Sequence, residues 1–388
     1  MIRTGGDSSS KVRLRELALT TRLTLSIDAM GGDNAPEMVV DGVETAAKQN
    51  PNLRFLLFGD EAQLSELLAS NPTAAAASEI RHTTDVVGSG DKPAVALRSG
   101  RQSSMRLAIN AVSDGEADAV VSAGNTGALM AMAKFVLKTL PGIDRPAIAT
   151  SFPTMKGQLV MLDLGANIEC DADNLLQFAV MGEVFARNVL GRANPSVGLL
   201  NVGAEDLKGN QEVRDAAELL QQTHLPIHFH GFVEGDDIAK GTVDVIVTDG
   251  FTGNVALKTA EGMAGMFGFF LRDALTSSIF GKIGALIARP ALLKFKAKFD
   301  PRLYNGAMFV GLNGICVKSH GGTDGYGFAN AVGVAVNLVQ NNFNDGIKVD
   351  CAQLLADRDA SKKAAAEAEA AALKADDESQ NSGANADQ

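Results

Sequence analysis

Lys208 stands in a polar turn, LKGN, beside Gly209 and after the apolar run LLNVG, where a point charge can grip an anionic oxygen. Further along, TDGFTGN places Asp249, Thr252, Gly253 and Asn254 where another apolar run breaks into a helix-compatible segment. An amide at such a position can donate to a developing oxyanion, or it can cap the helix. Two more breaks share this build. SIDAMGGDNAP carries Asp28, Gly31 and Gly32, and AVVSAGNTGALM carries Asn125, Thr126 and Gly127. Turns and helix starts of this kind present backbone N–H groups to anions. Several in one chain point to an anionic, phosphate-bearing ligand.

Other candidates read more modestly. His320, ahead of Gly321 and Gly322, can shape its loop, bind phosphate or protonate a leaving group. Asp28 and Asp33 are expected to organise loop hydrogen bonds, and Asp163 and Asn167 in LDLGAN to form a turn or support a neighbour. Arg98, Arg101, Ser103 and Ser104 form either an anion cluster or a helix start. His228 and His230 would share one face of a strand, but no carboxylate set with metal spacing accompanies them. Cys170, Cys316 and Cys351 are too scattered for a disulfide framework or a zinc site. The chain has no G-x-S-x-G elbow and no P-loop. We therefore expect no acylated nucleophile, no metal and no cofactor.

The elements that must hold these residues alternate. Apolar runs begin near Leu23, Arg54, Asp118, Pro146, Gln158, Ser196, Pro226, Val243 and Val310, with helix-compatible segments between many of them. The runs are continuous, as in strands covered on both faces, so the expected class is α/β, with a largely parallel sheet and helices on both sides. In such sheets ligands bind at the carboxyl ends of strands, where the glycine-rich breaks fall. The 388 residues are 46% hydrophobic, enough for a large core, and the net charge of −11 gives no broad basic field for nucleic acid. Residues 1–22 read as a disordered leader, 23–350 as the α/β catalytic domain and 351–388 as a low-complexity tail. Between Phe267 and Phe299, Phe267, Leu271, Leu275, Ile279, Ile283 and Leu286 recur at helical spacing. Five cations and no acid lie between Asp273 and Asp300, so this stretch is expected to project as an amphipathic helical segment.

From about Leu23 to Leu338 the chain resembles the phosphate acyltransferase (PlsX) family of bacterial phospholipid synthesis. The motifs that carry the resemblance are DAMGGDNAP, SAGNTGALM, RPAIA, LDLGANIECDADNLLQFAVMG, LLNVGAEDLKGN, DGFTGNVALKTAEG and HGGTDG. It implies a fold like isocitrate dehydrogenases and phosphotransacetylases. The implied reaction turns a fatty acyl thioester on acyl carrier protein, plus orthophosphate, into acyl phosphate. Lys208, Asn254 and His320 are then the expected catalytic residues. Asp28, Gly31, Gly32, Asn125, Thr126, Gly127, Asn167, Gly209, Asp249, Thr252 and Gly253 are expected around substrate or phosphate. Expected partners are a second copy in a homodimer, the membrane surface and a downstream glycerol-3-phosphate acyltransferase. The alternatives are a phosphotransacetylase-like enzyme using acyl coenzyme A, a dehydrogenase on the same fold, and a non-catalytic membrane-surface adaptor.

Overall fold

The apolar runs become strands because helices cover both of their faces. A computed structural model of the chain describes residues 22–353 and Ala356, except Pro226 and Phe299. Among the described residues the strands are β1 (Leu23–Asp28), β2 (Leu53–Gly59), β3 (Ser78–His82), β4 (Ala119–Ser122), β5 (Ala147–Thr154) and β6 (Gly157–Leu162). They continue as β7 (Ser196–Leu200), β8 (His228–Val233), β9 (Val245–Val247), β10 (Ala307–Val310) and β11 (Ile315–Lys318). All join one sheet, in the order β3-β2-β1-β4-β11-β10-β5-β6-β9-β7-β8.

The sheet contains two parallel sets. β3, β2, β1, β4 and β11 run together, and so do β6, β9, β7 and β8. Between them β10 and β5 pair antiparallel with their neighbours, which turns the second set to face the first. One register row joins them: Ile27–Val121–Val317–Met308–Ala149–Leu162–Val247–Leu199. That row meets β1, β4, β11, β6, β9 and β7 at their last or next-to-last residues. The two sets therefore approach head to head, and their carboxyl ends share one line. The largely parallel sheet expected from the sequence holds within each set; the reversal between sets does not show in apolar runs, which carry no direction.

Alternating residues feed two cores. Leu25, Ile27, Leu57, Val121, Val245 and Val247 face the helices Glu37–Gln49, Ala172–Asn188 and Gly325–Gln340. Leu56, Phe58 and Val120 face Ser104–Ser113 and Thr126–Leu137, and Ile246 joins the same core from the second set. Burial on both sides explains the lack of polar alternation. A Leu25→Ala truncation in such a core typically costs about 2–5 kcal/mol. The run read as one strand from Val310 divides into antiparallel β10 and β11, because the turn at Gly311–Gly314 interrupts it.

The helix Gly250–Thr276 is buried only at Gly250 and Gly253, and Ile279–Ile287 has no buried residue. Phe267, Ile279, Ile283 and Leu286 are exposed, as is Phe280 at 82%, while Leu271 and Leu275 are half-buried. These helices and Arg289–Lys298 leave the α/β body as an arm carrying uncovered apolar surface. The expected leader falls outside the described residues except for Arg22, and the tail falls outside them beyond Gln353 except for Ala356.

Candidate active site

Most of the glycine-rich loops end in the residue that caps the next helix. Asn125 accepts from Ala128 N, Asn210 from Val213 N, Asp249 from Thr252 N and Asp324 from Gly327 N. Each loop thus turns the chain from a strand end into a helix whose first N–H groups face the meeting line. Pro36, ahead of Glu37–Gln49, makes no side-chain cap.

On the first set, Asp28 ends β1 fully buried. Its Oδ1 accepts from the Ser104 hydroxyl and its Oδ2 from the Ser122 hydroxyl, each at 2.6 Å. Burial raises its carboxyl above the usual range while those hydroxyls and Lys318 act against the rise. With both oxygens occupied, Asp28 holds its loop from below. Gly31 N reaches back to Asp28 O at 3.4 Å, and Gly32 follows at φ +122°. Asp33 N donates to Gly321 O at 2.9 Å, joining this loop to the His320 loop. Asn125 is spent on structure: its Nδ2 also donates to the carbonyls of Ser89 and Asp91, at 2.9 and 3.0 Å. Thr126 and Gly127 stay exposed at the helix start. Ser103 caps Ser104–Ser113, so that stretch does contain a helix start.

On the second set, Asp163 follows β6 as the hub. It accepts from the backbone N of Ile148, Gly165, Ala166 and Asn167, and from Asn167 Nδ2. Burial pushes its carboxyl upward, and these donors oppose the shift. Gly250 N donates to Asn167 O at 2.7 Å, which locks the two loops together. Asn254 lies exposed one turn into the helix and is not its cap, since Asp249 fills that role and also takes the Thr252 hydroxyl at 2.7 Å. Gly209, at φ +90°, lies where a Cβ would stand 2.2 Å from Asn201 Oδ1. Only glycine fits there, and the turn that results leaves Lys208 exposed while Asn201 Nδ2 holds its carbonyl at 3.1 Å. No contact among the described residues joins Lys208 to Asn254. They share the line on which the neighbouring strands β7 and β9 end.

His320 is exposed on the first-set side. Its Nδ1 accepts from Gly322 N at 3.1 Å, and its backbone N donates to Asn305 Oδ1 at 2.8 Å. That leaves Nε2 as the nitrogen offered outward. Burial and nearby Asp163 push the Cys170 thiol up to about 12, and burial raises Cys316 and Cys351 as well. Thiols so protonated are poor nucleophiles. Among the described residues no group of three or more His, Cys, Asp or Glu side chains is placed to hold a metal ion.

Sequence reasoning missed two residues. Asn305 braces the His320 loop, donating to Ser319 Oγ at 2.8 Å and Gly327 O at 2.7 Å. Lys318 ends β11 with its ammonium under the Ala123 carbonyl, 3.2 Å away. Neither lies in a glycine-rich motif. The one available signal for Lys318 was a charge closing the apolar run ICVK.

The profile of a family described as "Fatty acid synthesis protein" matches residues 23–345. A phosphate acyltransferase from Rhodospirillum centenum is 59% identical over 355 residues, covering 92% of this chain and 100% of the relative. Another, from Rhodospirillum rubrum, is 60% identical over 336 residues, covering 87% and 96%. The chain belongs to the phosphate acyltransferase family. Among solved structures, a phosphotransacetylase from Streptococcus pyogenes aligns with a TM-score of 0.59 at 18% identity, covering 85% of this chain and 98% of that one. The EutD phosphotransacetylase from Staphylococcus aureus aligns at 0.57 and 16% identity, covering 84% and 97%. At that identity the likeness concerns the fold, and the fold agrees with the one the resemblance implied. The fold is thus shared with phosphotransacetylases.

Proposed function

We propose that this protein transfers a fatty acyl group from a carrier thioester to orthophosphate, with acyl carrier protein as the donor. The observation that carries this reading is the head-to-head meeting of two loop sets, each offering donors to an anion, within a phosphate acyltransferase family chain. A phosphate oxygen attacks the thioester carbonyl carbon. The new C–O bond forms as the carbonyl oxygen becomes an oxyanion, and collapse breaks the C–S bond. The thiolate leaves and takes up a proton, giving acyl phosphate and free carrier thiol.

Phosphate is itself the nucleophile, which suits a site whose cysteines are held protonated. Lys208 and Asn254 stabilise the oxyanion, and Thr126 and Gly127 present helix-start donors on the first-set side. The expected donors of Thr252 and Gly253 are spent on Asp249, the Thr252 N–H and hydroxyl on its carboxylate and the Gly253 N–H on its carbonyl. His320 offers Nε2 toward the departing thiolate. Such positioning and preorganised donors account for most of what acyl transfer requires.

The arm supports two associations: packing against a second copy, and contact with an anionic membrane through its apolar surface and flanking lysines. Among the described residues no helix is long and apolar enough to cross a membrane. Membrane contact would hand an acyl product to a glycerol-3-phosphate acyltransferase. Mass-spectrometric detection of acyl phosphate from acyl carrier protein plus phosphate tests the activity, with acyl coenzyme A run in parallel. Product from acyl coenzyme A alone would favour the phosphotransacetylase-like alternative, and no product from either donor would leave the non-catalytic adaptor.

A further inference from the structure

Lys318 ends β11 where the three loops of the first strand set close on one another. Its ammonium donates to the carbonyls of Ala123 and Ser319. An ammonium has three protons to give and accepts none, so one donor remains. Among the described residues no carboxylate lies within ion-pair distance of Nζ. Asp28 spends both oxygens on serine hydroxyls, and Asp33 acts on the lysine only through its charge. Burial pulls Lys318 down to about 8, and Lys258, from the helix of the opposing set, pulls the same way by like-charge repulsion.

A half-buried cation without a contact anion carries part of the desolvation cost, which an anion would offset. Here the cation lies at a strand end beneath glycine-rich loops, and a second cation approaches from the other strand set. The nearby donors are also unspent: Thr126 and Gly127 open a helix of 12 residues whose cap, Asn125, satisfies Ala128 N. The first N–H groups of a helix have no intrahelical partner. The missing partner is an anion from outside the chain, small enough to enter between loops and able to accept several hydrogen bonds.

We infer that Lys318 supplies the half-buried positive charge that anchors orthophosphate, with Lys258 its exposed companion from the opposing strand set. Lys258 is tied to Glu261 at 2.8 Å, so its share is the smaller one. The inference rests on acyl transfer to phosphate and adds where the nucleophile is held before attack.

Calorimetric titration of the full chain with inorganic phosphate, followed by steady-state kinetics, tests it. Lys318→Met should weaken phosphate binding and raise its KM by about 10- to 100-fold, as expected for a lost charge-assisted bond. The KM for the acyl thioester should not follow. Lys258→Gln, at an exposed position where folding is not at stake, should weaken phosphate by about two- to fivefold and reduce its salt sensitivity. Phosphate binding unchanged in both variants overturns the inference, as does a Lys318→Met loss confined to thioester KM. If Lys318→Met does not fold, an unchanged Lys258→Gln overturns it alone. Lys318-dependent phosphate binding without any acyl phosphate would sink the activity reading while leaving the anion site standing. Acyl phosphate made with normal phosphate KM in Lys318→Met would do the reverse.

Discussion

Gly253 packs so closely on the Asp163 carbonyl that a Cβ at that glycine would stand 1.9 Å from the oxygen. Asp163 is held by donors from Ile148, Gly165, Ala166 and Asn167, so the contact pins the first turn of the Gly250–Thr276 helix to the end of β6. Asn254, the next residue, takes its place from this contact.

Gly253→Ala should therefore displace the helix start. Overpacking of this kind costs about 1–3 kcal/mol, and a shift near 1 Å at a reacting centre can cost about 100-fold in rate. A lower melting temperature and a reduced kcat are expected together. Unmodified kcat in this variant would show that the contact does not place the chemistry.

Lys208→Ala and Asn254→Ala should each lower kcat by roughly 10²–10³, the usual loss for one oxyanion donor. Both side chains are exposed, so circular dichroism and melting temperature should stay put. Turnover within a few-fold of the unmodified protein in either variant would remove that residue from the reacting centre.

Asp163→Asn keeps the shape but turns an amide NH2 toward backbone donors. Leaving buried N–H groups unsatisfied costs about 1–3 kcal/mol each, so the denaturant midpoint should fall clearly. An unchanged midpoint would mean that the hub is not needed to hold the loop.

The phosphate dependence should vary with pH in one direction. In the free protein Lys318 loses its proton as pH rises through about 8, below its ordinary 10.5, with Asp28, Asp33, Cys316 and Lys258 as the charged or titratable groups facing it. Phosphate binds the ammonium form, so KM for phosphate should be steady below about 8 and climb above it. Lys318→Met should abolish the climb. A climb that survives in the variant belongs to another group.

Ile279→Asp combined with Ile283→Asp should detach the protein from anionic vesicles in flotation while leaving a soluble, active dimer. Both residues are exposed on the arm, and burying an acid in the headgroup boundary opposes insertion. If the change instead splits a dimer, or the unmodified protein never floats, the arm is an interface between copies.

The sequence alone determined the α/β class, most strand and helix positions, and the loops that bear the site. Continuous apolar runs signal strands covered on both faces, and Gly, Asn and Asp at their ends signal turns and caps, all through local physical chemistry. Asn125 and Asp249 show that limit as well as that reach: the residue types marked two helix starts, but tertiary contacts spent the Asn125 amide on Ser89 and Asp91. The exposure of Asn254, the hub role of Asp163 and the half-buried charge of Lys318 depend on which chain segments meet. Only the tertiary structure decided that the two strand sets meet head to head, because direction and pairing come from long-range register between β11, β10, β5 and β6. No local pattern encodes that register, and it alone brings loops distant in sequence onto one line.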